Sequence, residues 1–209
     1  MRSARLLLTV LATSGALALA GCQVSVPVDG GTVITSASAH DSGLSALDDA
    51  GVVRIKDERR ANFDMTGGSL RKSAVGLADG ASAPSISTIG NGKIELNITA
   101  PHGTITALTD HISFFTTGDR PDITTVSYLL STKDYEEYVA LIRDGVQKYG
   151  LDSNAAENWI RSAADHTNAE TGDAGFNIDG TSTGLRVNYE FRLRPGDTFQ
   201  VILVTVSAL

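Results

Sequence analysis

A stretch near the end of the chain alternates strictly between apolar and polar residues, and this pattern constrains the fold more than any other. The apolar positions are Leu185, Val187, Tyr189, Phe191 and Leu193. The positions between them are Arg186, Asn188, Glu190, Arg192 and Arg194. Because side chains point alternately to the two faces of a strand, the pattern predicts a strand with one buried face. Arg194-Pro195-Gly196-Asp197 suits a type II turn. Residues 199–206, apolar on both faces, then predict a central strand.

Shorter alternations earlier in the chain predict further strands. They lie at 93–99, 123–131 and within 104–116, where one or two strands fit. Ala100-Pro101-His102-Gly103 has the composition of a turn. Val52-Val53-Arg54-Ile55 is also predicted as a short strand. The sheet is therefore expected to be mostly antiparallel.

The strongest helix pattern lies near residues 132–149. Ser131 is expected to cap the first amides, with Asp134 three residues further on as in a capping box. Gly150 suits the left-handed position that ends a helix. One helix face collects the apolar residues Tyr135, Tyr138, Val139, Ile142, Val146 and Tyr149. These features predict a helix of about four turns that covers one face of a sheet.

A second, shorter helix is expected to begin after a cap at Asp152 or Ser153 and to run to about Ala164. Its inward residues would be Trp159, Ile160 and Ala163. The sequence thus predicts an α+β fold: a mostly antiparallel sheet with one main helix and a second shorter helix packed on one face. The tyrosines of the main helix have two interpretations, as core residues or as the lining of a ligand cavity.

The first residues of the chain have the layout of a secretory signal. Arg2 and Arg5 precede an apolar run over 6–19, which is shorter than the roughly 20 residues that span a bilayer. The run ends in Leu19-Ala20-Gly21-Cys22, which resembles the lipobox of bacterial lipoproteins. The resemblance implies transfer of a diacylglyceryl group to Cys22 and cleavage after Gly21. The alternative is an ordinary signal peptide cut nearby.

The resemblance implies three regions: a signal peptide at 1–21, a lipid-anchored flexible tether at 22–50 and one domain at 51–209. The tether is rich in Ser, Ala, Gly, Thr and Asp. A short strand at 24–28 or 32–35 that docks on the domain is the alternative. The expected location is the extracytoplasmic side of the cell membrane, to which acyl chains on Cys22 would hold the protein.

Charge and cysteine content exclude some classes of partner and bond. After residue 21 the chain has 15 basic and 24 acidic residues, a formal charge of -9. Nucleic acid is therefore an unfavourable partner, since its phosphates are bound by Lys and Arg. The only cysteine in the sequence is Cys22, so no intramolecular disulfide is expected.

Two segments have the composition of a binding or catalytic site. Ser69 and Lys72 fit the S-x-x-K pattern, but the companion motifs Ser-Asp-Asn and Lys-Thr-Gly do not occur. The same segment, 66–72, could instead form an anion-binding nest or a glycine hairpin. Residues 175–180 match part of a calcium loop but lack the carboxylates at its first and last positions. Turn chemistry or an irregular cation site at Asp173 and Asp179 are the alternatives.

No motif for a metal or cofactor site was found, so no catalytic residue, metal or cofactor is predicted. Arg186, Arg192 and Arg194 could bind an anionic partner or form a solvated sheet face. By elimination, the expected role is binding of a protein partner, an envelope component or a small ligand. The alternatives are an enzyme whose site is dispersed in the sequence and an accessory subunit of an envelope complex. A cavity would favour a ligand, a flat apolar patch a partner, and a cleft with shifted pKa values an enzyme.

Overall fold

The computed structural model describes residues 43–116, 120–166, 174–193 and 200–209. The predicted signal peptide, Cys22, most of the predicted tether, Asp173 and the predicted turn at 194–197 therefore lie outside the described residues. The alternative to the tether, a short strand at 24–28 or 32–35, lies outside them as well. All structural statements below concern the described part of the chain.

The described chain contains three α-helices and eleven strands. The helices are α1 (Asp49–Glu58), α2 (Tyr135–Tyr149) and α3 (Ser153–His166). The strands before α2 are β1 (Arg60–Asp64), β2 (Leu70–Arg71), β3 (Ile86–Ser87), β4 (Ile94–Ala100), β5 (Gly103–Thr109), β6 (His111–Phe115), β7 (Asp122–Ile123) and β8 (Thr125–Thr132). Those after α3 are β9 (Ala174–Gly180), β10 (Arg186–Leu193) and β11 (Gln200–Ser207). A short 3₁₀ helix covers Lys72–Val75.

The largest sheet has six strands in the order β3-β6-β8-β11-β10-β9, all antiparallel. The alternation at 185–193 forms β10 as predicted, with Val187, Tyr189 and Phe191 buried. Strand β11 lies between β8 and β10, which confirms its predicted central position. A second sheet has the order β1-β4-β5, and β2 pairs with β7. The α+β fold with a mostly antiparallel sheet is therefore confirmed.

The two helices after β8 and the three-stranded sheet pack on the same face of the six-stranded sheet. Trp159 of α3 stacks on Phe191 at a centroid distance of 5.6 Å, and Tyr138 of α2 meets Phe191 edge to face at 6.5 Å. On the same sheet face, Phe63 of β1 in the three-stranded sheet packs against Phe114 of β6 at a centroid distance of 5.2 Å. The strand register places Phe114 and Phe191 on one face, because Ile112, Tyr128, Val204 and Tyr189 form a single cross-strand row. Burial of this face supplies the core of the domain.

The segment Val52–Ile55 is helical, so its prediction as a strand is wrong. It lies in α1, where the Asp48 carboxylate accepts a hydrogen bond from the amide of Gly51 at 2.7 Å and caps the helix. Buried Leu47, Gly51 and Ile55 follow at four-residue spacing, which is the period of one helix face. The expected boundary between tether and domain at residue 51 also falls inside α1. The folded part therefore includes Leu47, which is 2% exposed.

Helix α2 matches its predicted stripe but not its predicted cap. Its N-cap is Asp134, whose carboxylate accepts hydrogen bonds from the amides of Glu136 and Glu137. Ser131 is instead the penultimate residue of β8 and donates a hydrogen bond to the Asp110 carboxylate at 3.0 Å. The predicted C-terminal glycine is confirmed, since Gly150 has a φ of 70°.

Helix α3 agrees with prediction at its start and on its inward face. The carboxylate of Asp152 accepts a hydrogen bond from the amide of Ala155 at 2.7 Å, which caps the helix. Trp159, Ile160 and Ala163 are buried. The interpretation of Trp159 as a packing residue is confirmed.

Candidate functional site: a tyrosine cleft

A cleft with a volume of about 480 Å³ lies between α2 and the strands β4 and β5. We call it the tyrosine cleft. Its wall residues from α2 are Glu137, Leu141, Asp144, Lys148 and Tyr149, and those from β4, β5 and the residue before β4 are Lys93, Glu95, Asn97, Thr106, Ala107 and Leu108. Its floor consists of Tyr128, Leu130 and Tyr189 of the six-stranded sheet. This volume is within the usual range for small-molecule sites.

Three tyrosines reach this cleft from three different elements. Tyr128 of β8 and Tyr189 of β10 both pair with Val204 of the intervening strand, so their side chains share one face of the sheet. Tyr149, the last residue of α2, donates a hydrogen bond from its hydroxyl to the carbonyl oxygen of Thr106 at 3.0 Å. This bond ties the end of α2 to the edge strand β5. The convergence of these side chains therefore depends on strand order and on helix docking.

The hydroxyl of Tyr128 is the unusual group of the cleft. The side chain is 0% exposed, and its oxygen forms no hydrogen bond of normal geometry with any described residue. The Tyr149 hydroxyl lies close enough to act as a weak acceptor for it, but outside that geometry. A buried hydroxyl without a partner costs about 1–3 kcal/mol. Native proteins usually satisfy such groups with protein, water or a ligand. Among the tyrosines that line the cleft, Tyr128 is thus the one whose buried hydroxyl has no well-formed hydrogen bond to a described residue.

The tyrosines of the cleft are held in their neutral form. Burial is the main cause that raises the pKa of Tyr128 well above 10, and the neighbouring phenols of Tyr189 and Tyr149, including a weak hydrogen bond to Tyr149, add to it. Burial also raises the pKa of Tyr189 and of Tyr149. A general acid or base works best when its pKa lies near the operating pH. Phenols whose pKa is raised are therefore suited to hydrogen bonding rather than to proton transfer at neutral pH.

The ionised side chains of the wall already have partners. Lys148 pairs with Asp144 at 2.8 Å, and Lys93 donates to the carbonyl oxygen of Ser131 at 2.9 Å. Glu95 pairs with Arg60 at 3.3 Å, and Glu137 accepts a hydrogen bond from Thr132. Two cationic and three anionic wall residues leave a formal charge of -1. Lys148 is compensated by Asp144, whereas Lys93 has only a neutral carbonyl as partner, so the net charge of the wall rather than full pairing disfavours an anionic ligand.

Gly145 positions the floor of the cleft against α2. A Cβ atom at this residue would lie 2.7 Å from Leu151 Cδ1 and 2.8 Å from Tyr189 Cε2. Carbon atoms that are not bonded to each other do not approach this closely, so a glycine at this position lets Tyr189 pack directly against the helix. Glycine in a helix interior costs about 1 kcal/mol relative to alanine. The close packing of Tyr189 explains why a glycine nevertheless occupies the middle of α2.

The sequence left open whether the three tyrosines of the main helix are core residues or line a cavity, and the structure shows both. Tyr138 is 0% exposed, and its hydroxyl accepts a hydrogen bond from Trp159 Nε1 in the core. Tyr135 donates to the carbonyl oxygen of Ile160 at 2.8 Å. Of the three, Tyr149 alone lines the cleft. The sequence interpretation did not include Tyr128 or Tyr189, although the alternation in β10 places Tyr189 among the inward residues.

The segment 66–72 forms a turn followed by β2 and a 3₁₀ helix. Lys72 is 1% exposed and donates to the carbonyl oxygen of Asp79 at 2.5 Å, so its ammonium group stabilises the following loop. Ser69 lies in a separate surface depression that Asp64 and Asp122 also line. The Asp64 carboxylate accepts a hydrogen bond from the amide of Thr66. The depression is also lined by Arg71, so its two carboxylates and one guanidinium leave a formal charge of -1, which does not favour an anion-binding nest.

The other candidate residues from the sequence do not assemble into a site. The Asp179 carboxylate accepts a hydrogen bond from Asn188 at 2.8 Å in the β9–β10 pair. No group of three potential metal ligands occurs in the described ranges. Arg192 forms an ion pair with Glu190 at 2.5 Å. Arg194 lies beyond the described residues, so the basic stripe is reduced to one paired side chain and exposed Arg186.

A cluster of Ser85, His111 and Ser113 was not predicted. His111 Nε2 lies 2.9 Å from Ser113 Oγ and 3.3 Å from Ser85 Oγ. A serine next to an imidazole is the arrangement that activates a nucleophile. Within the described ranges, however, no carboxylate is hydrogen-bonded to this ring, and none of the three residues lines the tyrosine cleft. The cluster is a polar network at the β3–β6 edge.

Comparison with known proteins gives no further assignment, because no protein family, curated protein or solved structure matches this chain. None of the helices among the described residues combines the length and apolar character needed to cross a membrane.

Proposed function

We propose that this chain is an extracytoplasmic lipoprotein, anchored through Cys22, whose domain binds a small ligand in the tyrosine cleft. The observation that carries the proposal is the buried hydroxyl of Tyr128, which has no well-formed hydrogen bond among the described residues and belongs to a side chain that lines a cleft of ligand size. The anchor is supported by Leu19-Ala20-Gly21-Cys22 at the end of an apolar run. A tethered binding domain would hold its ligand close to the membrane surface.

The two alternative functions have less support from the geometry. Against an enzyme, the pKa values of Tyr128, Tyr149 and Tyr189 are raised above 10, further from neutral pH, where a general acid or base works best with a pKa of about 7. The sheet face opposite the helices carries half-buried Leu129, Val201 and Leu203 and the exposed Phe115 among serine, threonine and charged side chains. That composition is more polar than the flat apolar patch expected of a docking subunit.

A pair of tryptophan variants tests the proposal on the full-length protein in detergent. Ala107→Trp places an indole in the cleft from β5, where Ala107 is half-buried. Ala140→Trp makes the same change on α2 at an exposed position that does not line the cleft. Ligand-observed NMR with a mixture of neutral, charged and apolar small molecules is expected to detect binding to wild type and Ala140→Trp, but not to Ala107→Trp. The proposal is wrong if no compound binds, or if Ala107→Trp binds as well as wild type.

A further inference from the structure

The chemistry of the cleft restricts the kind of ligand that it can hold. Three of its five ionised wall residues are in ion pairs, Lys148 with Asp144 and Glu95 with Arg60, and the other two, Lys93 and Glu137, are hydrogen-bonded to neutral groups. Its floor provides phenol hydroxyls, which both donate and accept hydrogen bonds. Its remaining wall is apolar at Leu108, which is 60% exposed, and at half-buried Leu141. The cleft therefore combines neutral hydrogen-bonding groups with modest apolar surface.

We infer that the ligand is an uncharged, polyhydroxylated molecule, that is, a sugar or a cyclic polyol, one of whose hydroxyls bonds to Tyr128. This inference rests on the proposed function and names its ligand class. A ligand hydroxyl can accept from the Tyr128 O–H or donate to its oxygen, so either orientation satisfies the buried group. Tyr149, whose own O–H is used by Thr106, offers an oxygen that can only accept further. A ligand with several adjacent hydroxyls can meet both requirements at once.

Other ligand classes fit these groups less well. An anion would meet a formal wall charge of -1 and neutral phenols that burial keeps protonated. The wall charge of -1 favours a cation over an anion, but a cation would have to compete with Lys148 for Asp144 and with Arg60 for Glu95, and it could not donate to or accept from the phenol groups as a hydroxyl does unless it carried one. A wholly apolar ligand would cover the Tyr128 hydroxyl without bonding to it, and the cost of the unsatisfied group would remain.

The test uses full-length protein in detergent, with glucose, maltose and myo-inositol as neutral probes. Choline, inorganic phosphate and an apolar naphthalene dye are the comparison probes. Isothermal titration calorimetry is carried out on wild type, Tyr128→Phe and Tyr138→Phe. Tyr138 is the matched control, because it is a buried tyrosine outside the cleft whose hydroxyl bonds to Trp159.

At least one neutral probe is expected to bind wild type. Tyr128→Phe is expected to lower the affinity for that probe by about threefold to tenfold, the usual range for one hydrogen bond. Tyr138→Phe should leave the affinity unchanged. Binding of choline, phosphate or the dye alone would overturn the ligand class while leaving a small-ligand function in place. Sugar binding that Tyr128→Phe does not weaken would overturn the role of this hydroxyl. If none of the six probes binds, the inference fails, and the broader mixture with the Ala107→Trp variant then decides whether the proposed function fails with it.

Discussion

Trp159 Nε1 donates a hydrogen bond of 3.1 Å to the hydroxyl of Tyr138 inside the core. The bond joins α3 to α2, and the two rings also pack on Phe191 of the sheet. It satisfies two polar groups that would otherwise be buried without partners. Tyr138 and Tyr128 are thus two buried tyrosines of one domain, and among the described residues only Tyr138 has a well-formed hydrogen bond.

Tyr138→Phe is expected to destabilise the domain by about 1–3 kcal/mol, because the indole N–H of Trp159 would then be buried without an acceptor. Denaturant unfolding followed by fluorescence of the single tryptophan measures the change. Ala140→Trp is unsuitable as a control here, since it adds a second indole. Glu136→Gln, an exposed change on the same helix, should shift the midpoint far less. Equal stability of Tyr138→Phe and wild type would contradict the structural role of this bond.

The domain is expected to lose stability as pH rises above 10. Burial raises the pKa of Tyr128, Tyr138, Tyr149 and Tyr189, whereas an unfolded tyrosine titrates near 10. The folded state therefore keeps protons that the unfolded state loses. This contribution is fully present below about pH 10 and is lost at higher pH.

An alkaline titration measures this effect by following tyrosinate absorbance and circular dichroism together. The absorbance of the four buried tyrosines should rise only as the secondary structure is lost. Ionisation of all five tyrosines near pH 10 in a domain that keeps its circular dichroism would contradict the burial described here.

Gly145→Ala is expected to destabilise the domain, although alanine favours helix by about 1 kcal/mol. The added methyl group would overlap Leu151 and Tyr189, and overpacking of this kind costs about 1–3 kcal/mol. Gln147→Ala, an exposed change in the same helix turn, should be neutral or slightly stabilising. Denaturant unfolding measures the change. A higher unfolding midpoint for Gly145→Ala than for wild type would show that the helix and Tyr189 are not in close contact.

Cys22→Ala is expected to release the protein from membranes, because it removes the thiol to which the acyl chains would be attached. Ser25→Ala changes a nearby residue of the tether and should leave the protein in the membrane fraction. Fractionation of cells that express each variant compares the two. Cys22→Ala that still sediments with membranes would refute the anchor.

Periodicity predicted the elements of this fold wherever one face is buried and the other is not. Strand β10 and helix α2 are the clearest cases, since each carries its apolar residues on a single face. Helix α1 was missed because Val52, Val53 and Ile55 favour strands, and the cap from Asp48 with the packing of Leu47 outweighs that preference. The parallel pairing of β1 with β4 joins segments more than 30 residues apart, which no local pattern indicates.

The candidate site was predictable only in part for the same reason. Tyr149 lies on a helical stripe that the sequence analysis already connected with a cavity. Tyr128 and Tyr189 converge because β11 lies between their strands. Strand order is a property of tertiary packing, and the spacing of residues along one strand does not contain it.

The central claim is that the Tyr128 hydroxyl serves a ligand rather than the fold. Denaturant unfolding of full-length Tyr128→Phe without ligand tests it most directly, with Tyr138→Phe measured beside it. The account predicts that the free energy of unfolding of Tyr128→Phe equals that of wild type or is higher by up to about 1–3 kcal/mol. The reason is that the substitution removes a buried hydroxyl without a well-formed hydrogen bond. A loss of stability as large as that of Tyr138→Phe would show that the hydroxyl has a structural partner and would contradict the account.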